Sequence, residues 1–174
     1  DNILYDPAYQ EIMSDAVRFG VSNFAWRNTN HEDSHVTRAL LSMIHYKTES
    51  GTGCPLTMSY AAIPCLRQSE DPLVASILSR VEKSESYDMR DVPVHEKSGA
   101  IVGMSMTEKQ GGSDVRTNTT IASPIGGQHY ELRGHKWFTS APMSDGFLTL
   151  AKIEGSEDLS CFLVPRWFHD KKNK

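Results

Sequence analysis

Of the chain's 174 residues, 39% are hydrophobic, 23% charged and 9% aromatic, and 18 Lys and Arg stand against 22 Asp and Glu for a formal charge of −4. A chain of this length can bury an ordinary core, and its acidic balance weighs against a surface built to grip phosphate backbones. No apolar run approaches the roughly 20 residues of a membrane span. No basic-then-apolar leader opens the sequence, although its first residue is Asp1 rather than Met.

Helical signals come first. In Tyr9–Phe24 the apolar residues Tyr9, Ile12, Met13, Ala16, Val17, Val21 and Phe24 recur on one helical face. Asp33 or Ser34 can cap a second helix carrying Val36, Leu40, Met43, Ile44 and Lys47 to a stop at Gly51 and Gly53. A third, Thr57–Gln68, holds Met58, Ala61, Ala62, Cys65 and Leu66 on one side, with Pro64 expected to kink or break it. Asp71-Pro72 opens a short helix through Leu73, Val74, Ile77, Leu78 and Val81. Residues 84–98 are polar and aperiodic and read as a connection.

From Gly99 the chain turns to β-formers and turn residues. The expected strands are Ala100–Met106, Arg116–Ala122, His129–Phe138, Gly146–Ile153 and Leu159–Val164, with turns at Pro124, Gly126-Gly127 and Gly155-Ser156. The fold class is therefore α+β: a helical domain over 1–98, including the 84–98 connection, and an antiparallel β-barrel or sandwich over 99–168.

Three cysteines, Cys54, Cys65 and Cys161, form no C-x-x-C pair and read as small buried hydrophobes in a reducing, intracellular compartment. His31-Glu32-Asp33-Ser34-His35 matches H-E-x-x-H, but that metal pattern needs a mid-helix position, whereas Asp33 and Ser34 mark a helix entry. The other five histidines, at 45, 95, 129, 135 and 169, are scattered. Gly103-Met104-Ser105-Met106-Thr107 lacks the final glycine and following helix of a nucleophile elbow.

Two stretches carry chemistry. MSMTEKQGGSDV (104–115) places a strand end before a loop whose Gly111 and Gly112 let backbone amides converge on an anion, with Ser113 adding a donor. That suits a nucleotide diphosphate, and it equally suits an ordinary hairpin loop. GHKWFTS (134–140) ends another strand with two aromatics and two hydroxyls, a face and polar edge for a planar heterocycle, or simply core-filling rings.

In this order and separation, TEKQGGSDV resembles the T-E-x-x-x-G-S-D signature of the acyl-CoA dehydrogenase family, GHKWFTS resembles its G-x-K-x-W-I-T-N element, and LSCFLVPR (159–166) is similar to its next strand. Cys54-Pro55-Leu56-Thr57-Met58 and both motifs look most like the AidB branch of alkylation-response flavoproteins and their eukaryotic relatives. The resemblance implies a subunit of helical, β- and C-terminal helical domains that oligomerises, with FAD between the last two. Met104, Ser105, Met106, Thr107 and Gly112 would line the flavin, Ser113 would bind the cofactor diphosphate and lie near the CoA-bearing tail, and Phe138, Thr139 and Ser140 would flank the ring. Many family members carry Trp at the position of Phe138; here Trp137 precedes it. The family's base, a glutamate, belongs to the C-terminal domain, which the 174 residues do not include; Glu108 is not that base, and no catalytic residue is assigned. Implied too are an acyl-CoA substrate, electron-transfer flavoprotein as partner, a homotetramer, and a mitochondrial or bacterial cytoplasmic location. The basic tail HDKKNK (169–174) reads as a connection. The alternative is a protective, DNA-associated flavoprotein of the AidB kind with little turnover.

Overall fold

The computed structural model describes residues 4–168 and 171–173. Among these, α1 (Pro7–Arg18), α2 (Phe24–Arg27), α3 (Ser34–Thr48), α4 (Gly53–Leu66) and α5 (Pro72–Glu82) precede β1 (Val102–Ser105), β2 (Ile121–Gly126), β3 (His129–Arg133), β4 (Gly146–Ile153), β5 (Leu159–Pro165), β6 (Trp167–Phe168) and β7 (Lys171–Lys172). The class is α+β.

Local chemistry sets the helix limits. Asp6 caps α1 by accepting from the Ala8 amide at 2.8 Å. The helix stops at Arg18 rather than running to Phe24, because Gly20 takes a φ of +83°. There the Val21 amide bonds back to the Ala16 carbonyl at 2.9 Å, and a Cβ on Gly20 would lie 2.9 Å from Phe24 Cβ. Asp71 caps α5 through the amides of Leu73 and Val74, as its Asp-Pro start foretold.

Pro64 does not break α4, which continues to Leu66. A proline at 64 cannot donate to the carbonyl of Tyr60, one turn earlier. The Trp26 indole N–H from α2 takes that carbonyl at 3.0 Å, so the orphaned acceptor is satisfied by tertiary structure. In α3 the apolar stripe does not face inward: Val36, Leu40, Met43 and Ile44 are exposed while Ser34 and Ser42 are buried. Polar bonds turn the helix. His35 Nδ1 meets the Tyr60 hydroxyl at 2.6 Å, Arg38 Nε donates to the Val21 carbonyl at 2.8 Å, and His45 Nε2 meets Thr52 Oγ1 at 2.7 Å. The cysteines also depart from expectation, with Cys54 and Cys161 exposed and Cys65 half-buried.

The sheet is mixed, not an antiparallel barrel, and it does not close. β4 runs antiparallel to β5 on one edge (Gly146↔Pro165 to Lys152↔Leu159). Its other edge pairs in parallel with β1 (Val102↔Gly146 to Ser105↔Thr149) and then with β2 (Ile121↔Lys152, Ala122↔Ile153). β1 and β2 thus lie end to end along one edge of β4, and residues 106–120 leave that edge and return to it. The expected strand Arg116–Ala122 starts only at Ile121, because Val115–Thr117 form a 3₁₀ turn capped by Asp114. The expected strand His129–Phe138 ends at Arg133; at Gly134 a Cβ would sit 2.2 Å from Thr120 Oγ1. Of the tail, Lys171–Lys172 pair with Trp167–Phe168 instead of forming a plain connection, and His169, Asp170 and Lys174 lie outside the described residues.

One core joins the helices to the sheet: Ala62, Ile63 and Leu66 of α4 and Ile77 and Val81 of α5 pack with Val102 of β1 and Leu148 of β4. A second gathers Met13, Ala16, Val17, Leu56 and Ile101. Between them lies a buried ion pair, Lys97 Nζ to Asp145 Oδ1 at 2.6 Å with both side chains under 5% exposed. Asp145 Oδ2 accepts from the Ile101 amide at 3.1 Å, and through Lys97 the same carboxylate ties the 84–98 connection to the start of β4. Burial pushes the Asp145 carboxyl up from its usual value, and Lys97 pulls against that. Lys97→Met should cost about 3–5 kcal/mol in denaturant unfolding, the cost of an uncompensated buried charge; a loss below about 1 kcal/mol would show the pair to be dispensable.

Candidate functional site

The excursion at 106–120 and the segment 134–141 meet at the open end of β1. The main-chain bonds are direct: the Trp137 amide donates to the Thr107 carbonyl at 2.8 Å, and Glu108 bridges to both Gly111 and Lys136. Glu108 and Gly111 close a tight turn on each other, with N···O distances of 3.0 and 3.3 Å. Gly112 then passes so close to Thr107 that a Cβ would lie 2.5 Å from Thr107 Oγ1. Any side chain there would push the loop off the Thr107 hydroxyl.

The anchor is Glu108, whose side chain is 1% exposed. Its Oε2 accepts from the Thr119 amide at 2.7 Å, Thr119 Oγ1 at 2.9 Å and Gln110 Nε2 at 3.0 Å. Its Oε1 accepts from the Thr120 amide at 3.0 Å, Thr120 Oγ1 at 2.5 Å and Lys136 Nζ at 2.9 Å. Lys136 also donates to the Leu150 carbonyl of β4 at 2.7 Å. One carboxylate therefore joins the start of the excursion, its end and the aromatic segment to the central strand. Burial raises the Glu108 carboxyl, but the Thr119, Thr120, Gln110 and Lys136 donors outweigh it and hold the group well below the usual carboxylate range.

The residues singled out from sequence fall into two groups. Ser105 is buried, and its hydroxyl meets Thr139 Oγ1 at 2.6 Å, while Thr149 Oγ1 donates to the Ser105 carbonyl at 2.6 Å. Ser105 thus sets the position of Thr139 from behind. Met104, Met106 and Thr107 are half-buried at the rim, and the Asn118 amide, itself buried, donates to the Met106 carbonyl at 3.1 Å. Gly112, Ser113, Phe138 and Thr139 face solvent, with Ser140 half-buried. Phe138 adopts a φ of +58° and is 78% exposed, and Ala141 follows at +53°. An aromatic held in left-handed backbone and turned outward is strain without local return. With Trp137 it makes an edge-to-face pair, centroids 6.0 Å apart.

The result is a solvent-facing rim, called the bay below: a Gly-Ser loop, hydroxyls at Thr107 and Thr139, and an exposed ring at Phe138. These are the parts that hold a flat heterocycle carrying a diphosphate. A groove lies elsewhere, between the α4–α5 corner and the sheet, and none of the nine residues singled out lines it. His31 and His35 do not share a ligand site; His31 lies in the turn before α3 and the His35 ring is engaged by Tyr60 and Trp26. Sequence reasoning missed the anchoring set, Glu108 with Gln110, Lys136, Thr119 and Thr120. Its one available signal was a Glu and a Lys, each placed inside a stretch with cofactor-binding character.

Residues 1–89 match the family described as the adaptive response protein AidB N-terminal domain, and residues 103–173 match the acyl-CoA dehydrogenase middle domain. AidB of Escherichia coli K12 is 41% identical over 170 residues, which cover 98% of this chain and 31% of AidB. The structure of Caenorhabditis elegans ACDH-11 in complex with C11-CoA superposes with a TM-score of 0.78 at 25% identity, over 95% of this chain and 28% of that one. The FAD complex of a Bacillus anthracis acyl-CoA dehydrogenase shares the fold, with a TM-score of 0.59 at 18% identity, over 88% of this chain and 24% of that one. The chain therefore spans about a third of the relatives it resembles.

The anchoring carboxylate sits within the first of the two motifs, so its energetics can be tested apart from any ligand. Because its pKa is lower in the folded protein, Glu108 adds stability that is complete above the unfolded carboxyl's value near 4.3 and declines as pH falls below it. Glu108→Gln should lose about 3 kcal/mol at neutral pH, by leaving the half-buried Lys136 ammonium without its carboxylate, and should flatten the acid limb of the stability profile. An unchanged acid limb would remove Glu108 from the anchor. The N-terminal match over half the sequence, the middle-domain match over the sheet and the joined motifs have one reading: this chain belongs to the AidB branch of the acyl-CoA dehydrogenase family.

Proposed function

We propose that this chain forms the helical and sheet parts of an FAD-dependent, acyl-CoA dehydrogenase-like oxidoreductase acting on the α,β C–C bond of an acyl-CoA thioester. The observation that carries the reading is the joining of the loop at 107–120 to the segment 134–141 through Glu108 and Lys136, which leaves Ser113, Thr139 and Phe138 exposed on one bay. In that bay the amides of Gly112 and Ser113 and the Ser113 hydroxyl would hold the diphosphate, the Gly111 amide being engaged by the Glu108 carbonyl. The Thr107 and Thr139 hydroxyls, with the Met106 main chain, would meet the polar edge of the heterocycle, and Phe138 would lie against its face. FAD, when bound, would supply the acceptor for the electron pair removed from the substrate.

Family membership supports the cofactor, and the C11-CoA complex of the C. elegans relative supports an acyl-CoA substrate. Electron-transfer flavoprotein as electron acceptor and a homotetrameric assembly belong to the same proposal by analogy. So does an intracellular site, mitochondrial or bacterial cytoplasmic. The proposal assigns the role of base to none of the described residues. The AidB N-terminal match favours a second reading, a protective role in an adaptive response with little dehydrogenase turnover. Acyl-CoA-dependent bleaching of the flavin separates the two: rapid bleaching selects the dehydrogenase, and inert acyl-CoA selects the protective protein.

Ser113 is exposed and outside both cores, so its substitution tests the bay without endangering the fold. In the full-length protein, Ser113→Ala should weaken FAD binding by about 1–3 kcal/mol, as expected for a lost hydrogen bond to a charged group, with unfolding unchanged. Full-length protein, purified without denaturation, should be yellow, whereas residues 1–174 alone should bind FAD weakly, since the resemblance places half of the cofactor cleft in a further domain. A colourless full-length protein that takes up no added FAD would refute the reading, and undiminished flavin retention in Ser113→Ala would reduce the loop to a plain hairpin.

A further inference from the structure

Outside the bay, the groove between the α4–α5 corner and the sheet has a volume of about 950 Å³. Cys65, Leu66 and Leu73 line its helical side and Tyr130, Cys161 and Leu163 its sheet side. Cys65, in the last turn of α4, and Cys161, in the middle of β5, are 96 positions apart in sequence, yet the Cys65 thiol donates to the Cys161 sulfur at 3.9 Å. Both thiols are free, with Cys161 exposed and Cys65 half-buried, so a small oxidant has access to them. Closing from that distance to a sulfur–sulfur bond asks for about 2 Å of approach, within reach of side-chain rotation at a groove wall.

The geometry points to Cys65 and Cys161 as a redox-active pair that forms a reversible disulfide across the groove, joining the helical half to the sheet when a hydroperoxide oxidises it. The balance is complete. The Cys65 sulfur, giving up its proton, attacks one peroxide oxygen; the O–O bond breaks, an S–O bond forms, and the departing oxygen takes the proton to leave as alcohol or water. Cys161, losing its proton, then displaces hydroxide from the sulfenic acid, so an S–S bond forms, the S–O bond breaks and water leaves. Two electrons pass from the two thiols to the peroxide. Partial burial and the adjacent Cys65 push the Cys161 thiol up from its usual value, and the balance is the same whichever of the two sulfurs attacks first. Cys54 cannot compete. It sits eleven residues earlier on the same helix, about 16 Å away along its axis, and so serves as an internal control.

The test is peroxide titration of the purified protein, with thiols counted after denaturation and peptides mapped without reduction. Accessible thiols should fall from three to one, and one peptide pair should appear joined at Cys65 and Cys161, lighter by two hydrogens. Dithiothreitol should restore all three thiols. Cys54→Ser should keep the linked pair, and Cys65→Ser and Cys161→Ser should each abolish it. In Cys161→Ser, dimedone should label Cys65, because the sulfenic acid has lost the thiol that resolves it. Slower amide exchange in the last turn of α4 and in β5 should accompany oxidation of the unmutated protein. Three thiols surviving the titration, separate over-oxidation of Cys65 and Cys161 without a linked peptide, or links running mainly through Cys54 would each overturn the inference.

Discussion

A single buried carboxylate organises the functional end of this protein. Glu108 accepts six hydrogen bonds, including one from Lys136, and thereby joins three segments that the sheet ladder leaves free. A buried charge survives only with such compensation, and partial satisfaction would be worse than an apolar substitute. The arrangement is therefore close to all-or-none: either the excursion, its return at Thr119–Thr120 and the aromatic segment adopt one geometry together, or the carboxylate is exposed to a large desolvation cost. A loop of glycines and polar residues acquires a defined shape without burying apolar side chains of its own.

The sheet supplies the frame for that anchor. β4 carries β5 on one edge and both β1 and β2 on the other, so residues 106–120 bulge out of what would otherwise be one continuous edge. Lys136 ties the bulge back to the Leu150 carbonyl of the same strand. Below it, α4 packs against β1 through Ile63 and Ser59, whose hydroxyl accepts from the Val102 amide at 3.0 Å. Helical packing, the β1 position and the bay are thus linked in one line of contacts, and strain at Phe138 is affordable because both ends of its segment are fixed.

Much of this was legible in the sequence where local rules govern. The Asp71-Pro72 cap and β4 appear where the residues say they should, since caps and buried apolar runs are decided within a few positions. The misses share a cause in distant partners. Pro64 reads as a breaker because only the fold brings Trp26 to the Tyr60 carbonyl. The apolar stripe of α3 reads as a buried face, yet Tyr60, Thr52 and the Val21 carbonyl turn the polar side inward. Arg116 reads as a strand start because the cap from Asp114 is a property of backbone shape. Parallel pairing of β1 and β2 with β4 is likewise invisible to period-two alternation, which records which face is buried but not the neighbour's direction. At the bay the glycines, hydroxyls and aromatics could be found from composition, whereas nothing local marks Glu108 as an anchor, because most of its donors come from Thr119, Thr120 and Lys136.

The central claim is that the Glu108–Lys136 pair shapes the bay as a unit. FAD affinity measured in the full-length protein for Glu108→Gln, Lys136→Met and the double variant tests it most directly, because coupled residues give non-additive losses. If the pair acts as one, each single variant weakens FAD by about tenfold or more, near 1.4 kcal/mol, and the double variant is no worse than the weaker single. Losses that simply add, or an affinity indifferent to all three changes, would contradict it.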